Sequence, residues 1–285
     1  DWCVEESFAD VPRLSPVVRN VVPVAVRRWR KALLQTNTWR ELAEMRKRLG
    51  AGNYDAVLDT QGLLKSALIT RQAAGRRLGY TSDSAREPLA ARFYDATFPV
   101  PRDLHAVTRN RLLAGAAFGY TPAAELDYGI KAPEFSAGWL PATPIAVLLT
   151  ATSRDDKLWP EPDWIQLGNE LIKRGLTPVL PSGSLKEQER AKRIASAIPG
   201  AVTAPALSIR ELAGLLGKAS LVVGVDTGLA HLAAALKVPT VALYTATEPA
   251  LTGIVGAGFA RNLGGKGRSP SAEEVLAAGS EALKA

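Results

Sequence analysis

From residue 145 onward, short apolar runs alternate with helical patterns, and this alternation narrows the folds open to the chain more than any other feature. The runs at 145–150, 177–180, 201–204, 221–225 and 241–244 are expected as strands. The stretches 161–174, 185–197, 209–218 and 229–236 are expected as the helices between them, and 271–284 as a last helix. Strands this uniformly apolar must be covered on both faces, which a parallel sheet flanked by helices provides. The first half reads less regularly: strands at 2–5, 21–26, 56–59 and 77–80, and helices at 38–49, 63–74, 86–95 and 104–118. Pro122, Gly129, Pro133, Gly138, Pro141 and Pro144 cluster between the halves and mark a linker. A length of 285 residues suits two domains of ordinary size. The expected fold class is α/β.

Composition limits the chemistry. One cysteine, Cys3, excludes an internal disulfide and a multi-cysteine metal site, and two histidines disfavour a histidine-based one. No basic-then-apolar leader opens the chain. The uncharged stretch 135–153 is broken by Pro141 and Pro144, which argues against a membrane span. A soluble cytoplasmic protein is expected. Net charge is +7, and much of the excess lies between Arg27 and Arg48, with eight basic and two acidic residues. Such a patch suits a phosphorylated substrate or an anionic membrane surface, or is simply a solvated basic face. Aromatic residues make up 6%, and no recognition motif for nucleic acid is present, so nucleic acid is not an expected partner.

The segment Leu221-Val222-Val223-Gly224-Val225-Asp226-Thr227-Gly228-Leu229-Ala230-His231 is the most informative for function. A buried strand stops at Asp226, turns at Thr227-Gly228 and enters a helix. That arrangement places a ligand at the carboxyl end of a sheet. The first N–H groups of the helix and its dipole favour phosphate. Gly228 lets a ligand approach the backbone, Thr227 adds a hydroxyl, and Asp226 can accept hydrogen bonds from sugar hydroxyls. The alternative is an Asp that only caps a core helix. No G-x-G-x-x-G or G-x-x-x-x-G-K-[ST] pattern occurs, which disfavours dehydrogenase and P-loop chemistry. No D-x-D pattern occurs either, which disfavours metal-dependent sugar transfer.

Asp226-Thr227-Gly228-Leu229-Ala230-His231 resembles the D-T-G-x-x-H signature of glycosyltransferase family 9, the ADP-heptose:lipopolysaccharide heptosyltransferases. Thr152-Ser153-Arg154-Asp155-Asp156-Lys157-Leu158-Trp159-Pro160 resembles that family's phosphate-binding turn. Val26-Arg27-Arg28-Trp29-Arg30-Lys31 and Asp59-Thr60-Gln61-Gly62-Leu63-Leu64-Lys65-Ser66 resemble the heptosyltransferase I branch. The resemblance runs in order along nearly the whole chain. It implies the GT-B architecture of two Rossmann-like parallel-sheet domains facing a cleft: an acceptor domain at 1–138, a donor domain at 139–270, and a C-terminal helix at 271–285 that crosses back to the first domain.

The resemblance also implies roles. Thr152, Ser153, Lys157, Glu187, Leu207, Asp226, Thr227, Gly228 and His231 would bind ADP-heptose. Lys157 would offset the charge of the departing diphosphate, Glu187 would take the ribose and Leu207 the adenine. Ordinary readings stand beside these. Lys157 can be a surface lysine, Glu187 an acid complementing a helix dipole, Leu207 core, and His231 a capping or core residue. His105 reads as structural. Arg27, Arg30, Lys31, Lys65 and Arg86 would hold the carboxylates and phosphate of Kdo2-lipid A, a role that suits the arginine fork. No cofactor and no metal are implied. The expected reaction is an inverting, metal-independent transfer of L-glycero-D-manno-heptose to Kdo at the inner membrane of a Gram-negative bacterium.

The family opens with a strand, an S-x-G-D loop bearing the catalytic Asp, and a helix. The first residues here, Asp1-Trp2-Cys3-Val4-Glu5-Glu6, resemble its second strand instead. The expectation is therefore a first domain incomplete at its N-terminus, with the base unassigned and catalysis impaired. Asp59 is the nearest substitute carboxylate. The rival readings are a non-catalytic nucleotide-sugar-binding remnant, and a GT-B transferase or epimerase using another nucleotide sugar.

Overall fold

A computed structural model describes residues 1–284 and divides them into two compact units. Unit 1 holds residues 1–13 and 18–124, and unit 2 holds 14–17 and 125 onward. The division thus falls after Ala124, at the start of the Pro/Gly-rich stretch rather than at its expected end.

Unit 1 runs β1 (Trp2–Glu5), α1 (Asp10–Arg13), β2 (Val21–Val24), α2 (Val26–Trp29), α3 (Thr36–Ala51), β3 (Asn53–Leu58), α4 (Leu64–Thr70), β4 (Ala74–Tyr80), β5 (Ala96–Phe98) and α5 (Ala106–Phe118). β1 pairs with β2, and β3, β4 and β5 form a second sheet in that order; every pairing is parallel. β2, α2 and α3 share a small core built on Val22, Val24, Trp29, Met45 and Leu49.

The helix expected over 86–95 is a 3-10 segment, Pro88–Phe93, followed by the unexpected strand β5. Local propensity loses here to side-chain anchoring. Asp95 accepts hydrogen bonds from the Arg77 backbone N–H at 2.8 Å and from its Nε at 2.9 Å, so the chain is pulled beside β4. The Tyr94 ring occupies the space over Gly79, where any Cβ would sit within 2.3 Å of it. This pairing, with a backbone bond added, holds the Asp95 carboxyl down at about 2.

Unit 2 follows the expected alternation closely. Its elements are β6 (Ile145–Leu149), α6 (Glu161–Lys173), β7 (Thr177–Leu180), α7 (Leu185–Ser196), β8 (Val202–Thr203), α8 (Ile209–Lys218), β9 (Ala219–Val225), α9 (Gly228–Ala235), β10 (Thr240–Tyr244), β11 (Ala260–Gly264) and α10 (Ala272–Ala282). The six strands form one parallel sheet in the order β11-β10-β9-β6-β7-β8. Alternate residues of β6 serve opposite faces. Ala146 and Leu148 enter a core with Trp159, Trp164 and Leu171, while Ile145, Val147 and Leu149 enter one with Leu215, Ala230 and Ala233. β11 is Ala-Arg-Asn-Leu-Gly at a sheet edge, too polar to stand out as a strand in the sequence.

Capping boxes start α7, α8 and α10. Ser184, Ser208 and Ser271 each accept from the backbone N–H three residues on, and Glu187, Glu211 and Glu274 return the bond. α10 buries Ala272, Val275, Ala278 and Ala282 in the same core as Trp164 and Leu171. Its apolar face is therefore used within unit 2. Ala285, the last residue of the helix expected over 271–285, lies outside the described residues.

Candidate functional site

The sheet order of unit 2 locates its functional edge. From β6 the chain moves outward to β7 and β8, then returns to lay β9 against the other side of β6. The crevice at such a reversal, beyond the carboxyl ends of the strands, is where open α/β sheets bind ligands. The loop after β6 carries Thr152, Ser153 and Lys157, and the loop after β9 carries Asp226 and Thr227.

These two loops are tied together through Asp226. Lys157 Nζ donates to its Oδ2 at 2.7 Å, Thr247 Oγ1 donates to the same oxygen at 2.8 Å, and Thr152 Oγ1 donates to its main-chain oxygen at 2.9 Å. The side chains of Lys157 and Asp226 are 16% and 20% exposed, so the pair is mostly withdrawn from water yet reachable. Burial works against the Asp226 carboxylate. The hydrogen bonds from Lys157 and Thr247, with the charges of Lys157 and His231, outweigh it and keep the pKa below the ordinary aspartate value. Burial and then the Asp226 charge push the nearby Tyr244 phenol up, so it stays protonated.

Thr227, not Asp226, is the N-cap of α9, and its side chain makes no capping bond. The opening N–H groups of the helix are thus left uncapped by a side chain beside the carboxylate and cation. Ser153 is exposed in the loop. Arg154 pairs with Asp156, and Lys186 donates to Asp155 at 2.8 Å, so these charges shape the turn itself.

Glu187 is engaged differently from the simplest expectation. Its Oε2 accepts from Gly183 N–H at 2.8 Å and Ser184 N–H at 3.0 Å, closing the capping box of α7. The ordinary reading of this acid as a helix-terminus residue is therefore realised. Leu207 is half-buried against the core below α8 and α9, just before the Ser208 cap. His231 lies in the first turn of α9, close enough to Asp226 for its charge to be felt.

In unit 1, Arg27 lies on α2, with its guanidinium 6.0 Å from the Phe8 ring centroid, and Arg30 and Lys31 follow that helix. All three are exposed. Lys65, in the first turn of α4, and Arg86, on the loop before the 3-10 segment, are both exposed; the start of α4 and the Arg86 loop are joined where Glu87 N–H donates to Gly62 O at 3.0 Å and Leu64 N–H donates to the Glu87 side chain at 2.5 Å. Gly62 has φ +62°, and a Cβ there would meet Ala85 Cα at 3.2 Å, so glycine permits both the turn and the close approach of the two loops. Asp59 is 4% exposed, and both its oxygens are engaged. Oδ1 accepts from Gln61 and Gly62 N–H, and Oδ2 accepts from the Ser66 and Tyr94 hydroxyls at 2.7 Å each. It organises the loop before Lys65 and does not present a free oxygen for taking a proton. His105 caps α5 by accepting from Val107 N–H, as a structural residue would.

The family model for glycosyltransferase family 9 (heptosyltransferase) matches residues 42–276. The chain belongs to glycosyltransferase family 9. It is 45% identical over 258 residues to lipopolysaccharide heptosyltransferase 1 of Pseudomonas aeruginosa, covering 90% of this chain and 72% of that protein. Its structure is similar to that of E. coli heptosyltransferase WaaC with ADP, at 39% identity and a TM-score of 0.88, over 99% of this chain and 89% of that one. It is similar also to the same enzyme with ADP-2-deoxy-2-fluoro heptose, at a TM-score of 0.86, over 97% and 88%. The α/β GT-B fold expected from the sequence is the fold of this family 9 transferase.

Sequence reasoning missed two parts of the site. Thr247 joins Asp226 from the loop after β10, where a Thr/Ala/Glu/Pro turn carries no signal for such a bond. Arg190, on α7, holds both ends of the Lys157 loop. It donates from Nη2 to Trp159 O at 2.6 Å and from Nε to Thr150 O at 3.3 Å, while Glu161 pairs with its Nη1 at 2.9 Å. Trp159 below it is fully buried and donates to Pro270 O at 2.9 Å. The loop is thus fixed at its ends while Thr152 and Lys157 face the Asp226 turn.

Gly228 separates a folding requirement from a binding one. A Cβ built there meets nothing within 4 Å, and its φ is not in the left-handed region. Gly228→Ala is therefore expected to keep the fold, with stability unchanged or raised by up to about 1 kcal/mol from helix propensity. ADP affinity is expected to fall about tenfold or more, because the methyl would stand before the phosphate-facing N–H groups. Thermal melting and calorimetry read the two effects separately. Unaltered ADP affinity would show that no phosphate approaches this backbone.

Proposed function

We propose that the protein transfers L-glycero-D-manno-heptose from ADP-heptose to Kdo of Kdo2-lipid A, building the inner core of lipopolysaccharide, as an inverting glycosyltransferase. The observation that carries the donor half is the convergence of Thr152, Lys157, Asp226 and the uncapped start of α9 at the reversal point of the unit 2 sheet. The heptose half is supported by the names of its relatives and by the donor analogue held by the similar WaaC structure.

Thr152, Ser153, Thr227 and Gly228 would meet the pyrophosphate. Lys157 has three N–H donors and spends one on Asp226, which leaves two for phosphate oxygens. As the glycosidic bond to phosphate breaks, negative charge grows on ADP, and a fixed cation lowers that barrier. Asp226 orients Lys157 through its hydrogen bond, and is placed to accept from a heptose hydroxyl. Leu207 would pack on the adenine, Glu187 would meet the ribose, and His231 would donate to phosphate. The acceptor oxygen, freed of its proton by a base, attacks the anomeric carbon opposite the leaving ADP.

Arg27, Arg30, Lys31, Lys65 and Arg86 would bind the acidic acceptor. The protein would work in the cytoplasm, peripheral to the inner membrane where that acceptor resides. No helix among the described residues is long and apolar enough to cross a membrane.

The test is a transfer assay with ADP-heptose and Kdo2-lipid A, run beside calorimetry with ADP and UDP. Arg27→Ala with Arg30→Ala should raise the acceptor KM about tenfold or more, as loss of charged hydrogen bonds does, and leave ADP affinity unchanged. UDP binding as tight as ADP would overturn the donor assignment. An unchanged acceptor KM would make the basic face ordinary solvated surface.

A further inference from the structure

The segment from Arg30 to Lys47 carries, beyond the Arg30 and Lys31 assigned to the acceptor, a feature that sugar transfer does not use. Leu33 is 53% exposed, Leu34 fully exposed and Trp39 60% exposed. These side chains form one patch, because Trp39 Nε1 donates to Leu33 O at 2.8 Å and Thr38 Oγ1 to Ala32 O at 2.8 Å. The bonds fix the loop so that Leu33 and Leu34 are presented outward before any partner arrives. From Trp39 the apolar surface continues into a groove of about 570 Å³ between α3 and α4, lined by Leu42, Met45, Leu68 and Ile69.

Cations flank this patch along the chain. Arg30, Lys31, Arg40, Arg46 and Lys47 are exposed, and none has a carboxylate within 4 Å among the described residues. The acids of the segment are already spent, Glu41 on Arg28 and Glu44 on Arg48. Exposed leucines and a tryptophan flanked in the chain by unpaired lysine and arginine are what an anionic bilayer surface accepts. The apolar side chains enter the headgroup boundary, tryptophan sits at the interface, and the cations remain with the lipid phosphates. A protein partner would meet the same leucines, but five unpaired cations flanking them in the chain favour a densely anionic surface.

We propose that the loop Leu33-Leu34 and the Trp39 end of α3 form a membrane-docking element, inserted into an anionic leaflet and held there by Arg30, Lys31, Arg40, Arg46 and Lys47. This deepens the reading of a lipid-borne acceptor, yet its test needs no acceptor, so either can fail alone.

The experiment is flotation of the protein with phosphatidylethanolamine–phosphatidylglycerol vesicles and with phosphatidylcholine vesicles. The wild type should bind the anionic vesicles and release in high salt, and bind phosphatidylcholine weakly. Each cation near an anionic leaflet multiplies binding about fivefold, so Arg40→Glu with Lys47→Glu should nearly abolish it. Leu33→Ser with Leu34→Ser should lower partitioning about tenfold or more through lost apolar burial. Leu34→Ser alone serves as the control variant, because a fully exposed side chain contributes nothing to packing; it should give part of that loss with an unchanged melting temperature. Transfer to a deacylated, water-soluble acceptor should be unaffected in the leucine variants. Wild-type partitioning by Leu33→Ser/Leu34→Ser, or equal binding to neutral and anionic vesicles, would overturn the proposal. So would a dimer in vesicle-free solution that the leucine variant dissolves, since the patch would then be covered by a second copy.

Discussion

Lys157→Ala is expected to lower kcat for heptose transfer about 10²–10³-fold, the scale seen when one fixed donor to developing negative charge is removed. ADP affinity should fall by about 1.5–3 kcal/mol, the range for hydrogen bonds to charged groups. The expectation rests on position: Lys157 is held at 2.7 Å from Asp226, at the carboxyl end of the central strands, in a loop pinned at both ends by Arg190. Asp226→Asn keeps the shape and removes the charge that aims Lys157. It should lower kcat less than Lys157→Ala, and the double variant should resemble Lys157→Ala because the two act as a unit. The pH dependence follows from the depressed Asp226 pKa. The Lys157–Asp226 contribution is complete above the unfolded aspartate value and is lost as pH falls through the lower folded one. Donor binding should therefore hold through neutral pH and weaken only in strong acid. Single-turnover rates and calorimetry would decide this. A Lys157→Ala enzyme within a few-fold of wild type in kcat would remove this lysine from the leaving-group role.

The second large effect is expected in unit 1. Asp59→Ala should destabilise that unit by about 3–5 kcal/mol, since it deletes a buried charged acceptor and strands several donors at once. Those donors are the N–H groups of Gln61 and Gly62 and the Tyr94 hydroxyl, while the Ser66 hydroxyl can turn to Leu63 O at 2.8 Å. Burial first, then the Asp59 charge, keeps the Tyr94 phenol well above its ordinary pKa, so it remains a donor at all working pH values. Asp59→Asn retains an acceptor oxygen and should cost about half as much. Denaturant unfolding with an unchanged slope would report the loss. Because the Asp59 loop leads into Lys65 and lies against the loop of Arg86, the acceptor KM should rise with the instability. If Asp59→Ala unfolded within about 1 kcal/mol of wild type, its four bonds would be ornaments of the loop rather than its frame.

Much of unit 2 can be read directly from the chain, because its signals are local. The strands β6, β7, β9 and β10 are mostly apolar and short, and the serines and glutamates that open α7, α8 and α10 lie three residues apart. Period, length and capping chemistry need no knowledge of distant residues. The D-T-G-x-x-H and T-S-R-D-D-K stretches likewise stand out in the chain, and the structure brings them together at Asp226. Elements stabilised by remote partners are not legible in this way. β5 exists because Asp95 is held by Arg77, and β11 is a polar edge strand recognisable only once β10 lies beside it. α10 turns its alanines and Val275 onto the second unit's own core, a choice among possible neighbours that periodicity cannot make.

The site divides along the same line. Sequence alone determined that an acid, a lysine and a glycine turn follow two apolar strands. Tertiary structure decided that Lys157, Thr152 and Thr247 all converge on Asp226, across 69, 74 and 21 residues of chain. It also decided that Arg190 anchors the lysine loop and that Glu187 serves its helix cap. The physical reason is that a hydrogen bond or ion pair depends on a distance of about 3 Å, and residues far apart in the chain reach it only when sheet order makes β6 and β9 neighbours.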